Sequence, residues 1–191
     1  MRTINVYEFD ELPNEVQKKV IDRYRDSYVD IEDAMSLEFI NYVGYLDFKL
    51  SYSLSCCQGD GVSFTGTAEG KEEVLELANL VYGGKVPRKI LRLINWGIII
   101  DVQFVRNNSH YVHKYTVDVI VESLIPCHYH IYRAICEFER AIKQWYLNTC
   151  SALETFGYNT IDSLRIDDYV RECIIANDLK FTENGDDFKG K

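Results

Sequence analysis

The chain has 191 residues, 47% of them hydrophobic, and carries a net charge of −9 with a pI of about 4.9. That balance excludes general binding to a phosphate backbone, which needs clustered Lys and Arg, so no direct nucleic-acid binding is expected. No apolar run approaches the ~18 residues of a membrane span, and no apolar signal segment follows Met1, so a cytoplasmic chain with reduced thiols is expected.

The segment T-I-N-V-Y-E-F reads as a short first strand. An amphipathic helix follows, with Val16, Val20, Ile21, Tyr24 and Tyr28 on one stripe and Pro13 at its start. A second helix covers roughly 31–43 and ends near Gly44. Phe48, Leu50, Tyr52 and Leu54 then alternate with Lys49, Ser51, Ser53 and Ser55, the period of a strand with one buried face. Gln58-Gly59-Asp60-Gly61 turns the chain into a second strand, where Val62 and Phe64 continue that face and Ser63, Thr65 and Thr67 lie opposite.

Residues 71–84 form a helix closed by glycine, and Pro87 opens another. A third strand over 97–105 and the polar turn R-N-N-S lead to a fourth strand, expected from His110 to Glu122. From about 128 a long helix begins, with Ile131, Ile135, Phe138, Ile142 and Trp145 on its apolar stripe. Gly157 is expected to stop it, and Thr160 to cap a last helix to about 176. Residues 183–191 read as a flexible tail.

This order predicts one α+β domain over 1–180. Its centre is a four-stranded antiparallel sheet, two hairpins joined by two helices. N-terminal helices and a long C-terminal helical pair pack on one face. The other face shows Ser51, Ser53, Ser63, Thr65, Asp101, Gln103, Thr116 and Asp118 to solvent. Two antiparallel helices between the hairpins return the chain to the same sheet end. Gln58, Asp60, Ser63, His110 and His113 are therefore expected in one neighbourhood.

An Asp with two His can do acid–base work or hold a metal, so Gln58, Asp60, Ser63, His110, His113 and Tyr115 are the candidate catalytic residues. Alternation through Val117, Val119 and Val121 places Tyr111, His113 and Tyr115 on the core side of the fourth strand. Cys127, His128 and His130 form a weak candidate metal cluster at the start of the long helix. A continuous strand would hold the two His pairs roughly 30 Å apart, beyond any shared ion. Cys56-Cys57 reads as structural. No phosphate-binding glycine motif occurs, and no cofactor is expected.

Y-E-F-D-E-L-P-N-E-V-Q-K-K-V-I-D-R-Y-R, S-C-C-Q-G-D-G-V-S-F-T-G and H-Y-V-H-K-Y with Asp118 and Glu122 occur in that order. The layout resembles a family of small phage and prophage proteins often labelled "antitoxin of toxin–antitoxin stability system". The resemblance spans residues 4–123 and not the helical part, about 125–177. Cys56-Cys57 stands where that family more often has an aromatic and a small residue. The resemblance implies a phage accessory protein acting in the cytoplasm of the infected bacterial host, a class that includes anti-CRISPR inhibitors. The expected partner is a basic host protein, such as a CRISPR nuclease, bound through acidic surface. The alternatives are a hydrolase or metal-dependent enzyme using Asp60, His110 and His113, and an antitoxin-like binding module.

Overall fold

A computed structural model describes residues 5–55, 57, 59–124 and 128–188. Gln58, Cys56 and Cys127 lie outside the described residues. The chain divides into two compact units, one of residues 33–157 and one formed by residues up to 32 together with those from 158 onward. No helix among the described residues is long and apolar enough to cross a membrane.

The larger unit holds the four-stranded antiparallel sheet expected from the sequence. Its elements are α2 (Glu32–Val43), β2 (Lys49–Ser53), β3 (Gly61–Glu69), α3 (Gly70–Tyr82), α4 (Arg88–Asn95), β4 (Ile99–Arg106) and β5 (Val117–Ser123), followed by the first part of α5 (Tyr129–Leu164). The strands form one antiparallel sheet in the order β2-β3-β4-β5. Gly83 ends α3 in the left-handed conformation, φ +57°, which a residue without Cβ adopts at little cost.

The inner face carries Phe48, Val62, Phe64, Val102, Phe104, Val117 and Val119, all buried. Helices cover it because each has an apolar stripe to hide: Val74, Leu77 and Ala78 on α3, Ile90, Leu93 and Ile94 on α4, Phe138, Ile142 and Tyr146 on α5. Phe64 sits at the centre, with ring centroids of Phe39, Phe48, Phe104, Trp145 and Tyr146 between 4.6 and 5.8 Å away.

The two halves of β3 pair differently. Gly61–Thr65 bond β2, whereas Gly66–Glu69 bond β4. In β4 a bulge at Ile100 shifts the register, since Ile99 faces Ser123 while Asp101 faces Glu122. The extra residue keeps Ile99 buried and turns Asp101 to the opposite face.

Three details differ from the sequence reading. First, β5 starts at Val117, not His110. Residues 107–113 form a loop and Lys114–Thr116 a 3-10 turn, so Tyr111 and Tyr115 are exposed instead of facing the core. Second, α5 continues through Gly157 to Leu164. Glycine there lets two side chains pack closely, since a Cβ would lie 2.3 Å from Leu54 Cδ1 and 3.1 Å from Met35 Sδ. Thr160 is therefore inside α5, and the last helix is α6 (Asp167–Ala176). Third, residues 183–188 are not a tail, as the smaller unit makes plain.

That unit joins β1 (Tyr7–Glu8) and α1 (Asn14–Tyr24) to α6 and β6 (Lys180–Phe181). β1 pairs antiparallel with β6. Phe9, Leu12, Val20, Ile21, Val170, Ile174 and Phe181 form its buried core. After β6 the chain turns back: Thr182 N donates to Asp186 O and Phe188 N to Lys180 O, both at 2.8 Å. Arg23 holds this hairpin through Gly185 O at 2.6 Å and Asp187 at 3.1 Å. Gly185 is buried against Val16 and Val20, where a Cβ would lie 2.7 Å from Val16 Cγ1.

Candidate functional site

The sheet end expected to gather the candidates does gather several of them. Residues 54–60 connect β2 to β3, and residues 107–116 connect β4 to β5. The two connections touch. Gly59, at φ +94°, lies so close under Tyr111 that a Cβ would be 2.2 Å from the ring, and Gly61 lies against His113. Between them opens a cleft of about 300 Å³ lined by Gly59, Asp60, Tyr111, His113 and Thr116.

Asp60 is fully engaged within its own loop. Oδ1 accepts from Ser53 Oγ at 2.6 Å. Oδ2 accepts from Ser55 N at 2.7 Å, Ser55 Oγ at 3.0 Å and Cys57 N at 2.6 Å. The Ser53 hydroxyl, then the Cys57 amide, and with them Ser55, hold this carboxyl below the usual aspartate range. A carboxylate with its lone pairs so occupied is a weak base and a poor metal ligand. Its chemistry is that of a latch that folds the loop around a single side chain.

The facing connection is latched in the same way. Asn107 N donates to Thr116 O at 2.9 Å, closing the loop, and Thr116 Oγ1 donates to His113 O at 2.7 Å. His113 Nδ1 accepts from Tyr115 N at 3.3 Å, which leaves the proton of the neutral ring on Nε2. The His113 and Tyr115 rings lie 5.0 Å apart. Lys114 Nζ reaches Ser151 Oγ on α5 at 2.7 Å. Local capping thus overrides the strand alternation that extends back to Tyr111.

Arg106 ties the β4–β5 connection to β3. Nη1 donates to Tyr111 O at 3.2 Å and Nη2 to Ser63 Oγ at 3.0 Å. Ser63 is fully buried, so the solvent-facing position expected for it is corrected: Arg106 fills the gap left where β3 parts from β4. Thr116, also read as solvent-facing, is buried. Sequence reasoning missed Arg106, whose only signal is a cation at the end of an otherwise neutral-to-acidic strand.

Of the remaining candidates, His110 is exposed and outside the cleft lining, and Gln58 lies outside the described residues. His128 and His130 are exposed at the start of α5, with Cys127 outside the described residues. Among the described residues no group of three His, Cys, Asp or Glu side chains could hold a metal ion.

The latch makes a direct prediction. Asp60→Asn should speed amide exchange at Ser55 and Cys57 while the β3–β4 amides keep their protection. Acid should do the same to the wild type. The folded-state pKa lies below the unfolded one, so the latch is at full strength above about pH 4 and is lost as pH falls through the lowered value. Exchange at Ser55 and Cys57 that ignores both changes would show that Asp60 does not hold the loop.

A scan of family models, a search of curated proteins and a search of solved structures each give no match for this chain.

Proposed function

We propose that this chain is a phage-encoded accessory protein that inhibits a host defence nuclease of the CRISPR type, without chemistry of its own, by binding a basic surface on it. The phage assignment rests on the sequence resemblance. The binding role rests on the outer face of the sheet.

Register sets Glu69 of β3 opposite Asp101 of β4, and Asp101 opposite Glu122 of β5. Three carboxylates therefore stand in one row across three strands, and Asp118 adds a fourth on the same face. None of the four forms an ion pair among the described residues. Gln103 Nε2 donates to Glu122 at 3.1 Å, which is only neutral relief. Like charges side by side on a sheet destabilise it. Beside them Val105 and Ile120 are 43% and 44% exposed. An apolar pair rimmed by uncompensated carboxylates is suited to a basic partner, whose cations relieve the repulsion while its apolar side chains cover the centre. Set over a nuclease's nucleic-acid channel, such a surface competes with the charge of the nucleic acid.

The test is a Glu69→Gln, Asp101→Asn, Glu122→Gln triple variant against a panel of purified CRISPR nucleases. The variant should fold at least as stably as the wild type. Its association with the target should weaken by at least about tenfold, and the wild type's own binding should fall as salt rises. Absence of wild-type binding across the panel at low salt, or equal affinity of the variant, defeats the proposal.

A further inference from the structure

The charge of this chain is segregated. No acidic residue occurs between Glu76 and Asp101, a stretch that carries Lys85, Arg88, Lys89 and Arg92. None occurs between Glu122 and Glu137, a stretch that carries His128, His130 and Arg133. The larger unit brings these two acid-free stretches together, as α4 and the first turns of α5.

They meet in a groove made of two adjoining hollows, of about 380 and 170 Å³, that share Lys89, His130 and Ala134. Leu93, Ile131 and Ala134 give it an aliphatic floor. Lys89, Arg92 and Arg133 line its walls. Trp96 stands at the end of α4, 69% exposed, and lines the same groove. Glu137 is the one carboxylate in the lining. It pairs with both Lys89 and Arg133, which fixes the two cations without cancelling them. Arg92 forms no ion pair among the described residues.

We infer that this groove is a second docking site, for an acidic protein segment that inserts aliphatic or aromatic side chains between its carboxylates. It goes beyond the sheet-face reading, since it lies on other elements and has the opposite sign. The charge complement is set by the three cations over one carboxylate, and the apolar complement by the Leu93–Ile131–Ala134 floor. Exposed Trp and Arg together are also the residue types that dominate protein-binding energy. A nucleic-acid strand fits less well. It needs a succession of aromatic platforms, and the groove offers one indole over an aliphatic floor. A long polyanion would also meet a molecule of net charge −9 beyond the groove.

The experiment selects displayed random peptides of about a dozen residues on the intact protein, with depletion on an Arg92→Glu, Arg133→Glu double variant. Both residues are exposed, so the variant should keep the wild-type circular dichroism, and the lost Arg133–Glu137 pair should lower its melting point only slightly. Expected are enriched sequences rich in Asp and Glu with interspersed Leu, Ile, Phe or Trp. A synthetic version should bind the double variant at least about tenfold more weakly, and Trp96→Ala should also weaken it. The sheet-face triple variant should bind that peptide like the wild type, so failure here and failure of the proposed inhibition are separable. The inference is overturned by failure to enrich any peptide over the double variant, by enrichment of basic sequences, or by displacement of the peptide by oligothymidylate at equal charge concentration.

Discussion

Replacing Phe64 with alanine is expected to lower the stability of the larger unit by about 3–5 kcal/mol, the range of large aromatic deletions in packed cores. Phe64 is fully buried and is ringed by Phe39, Phe48, Phe104, Trp145 and Tyr146, which come from helix and sheet alike. Those rings are held by α2, β4 and α5 as well as the segment before β2, so no single side chain can swing in to fill the space. Most of the cavity term should therefore persist. Urea titration followed by tryptophan fluorescence measures it: the midpoint should fall with the slope unchanged. A loss under about 1 kcal/mol would mean that the core rearranges around the deletion.

Phe181→Ala should be as costly, and its effect more concentrated. Phe181 is fully buried in a core of seven residues and meets the rings of Phe9 and Tyr24 edge-on, each at 6.3 Å. So small a core has little apolar area to spare, and a loss of about 3–5 kcal/mol approaches what a unit of this size has in total. Hydrogen exchange should show the amides shared by β1 and β6 losing their protection while those between β3 and β4 keep theirs. Equal loss in both sets would show that the two units unfold together.

Much of the larger unit was legible because its strands alternate and its helices carry apolar stripes closed by Gly or opened by Pro. That the β2–β3 and β4–β5 connections meet at one end of the sheet, bringing Asp60 and His113 to one cleft, followed from counting two helices between the hairpins. What was not legible depends on tertiary detail. The alternation Tyr111, His113, Tyr115, Val117 is unbroken in sequence, yet the first three leave the strand because His113 caps a 3-10 turn and Asn107 closes the loop. Gly157 has the composition of a helix stop, but Leu54 and Met35 press against its Cα and the helix runs on. The role of Asp60 turns on Ser53 and Ser55, whose hydroxyls alternate toward the outer face in sequence and bond the carboxylate only once the loop folds. The acidic face was partly visible, since Asp101 of the row and Asp118 beside it were placed on the outer face. The row's alignment with Glu69 depends on the bulge at Ile100, which the run Gly97-Ile98-Ile99-Ile100 does not announce.

The smaller unit takes its two halves from opposite parts of the sequence. During synthesis, Val20 and Ile21 emerge from the ribosome well before Val170, Ile174 and Phe181, the side chains that bury them. A contact order this high makes the unit a late folder. The larger unit can complete its sheet once α5 has begun to form, while the first helix waits with its apolar stripe uncovered. Truncation within α6 would leave that stripe exposed for good. A chain truncated there should be drawn to chaperones through the uncovered stripe of α1, although the lesion lies in α6.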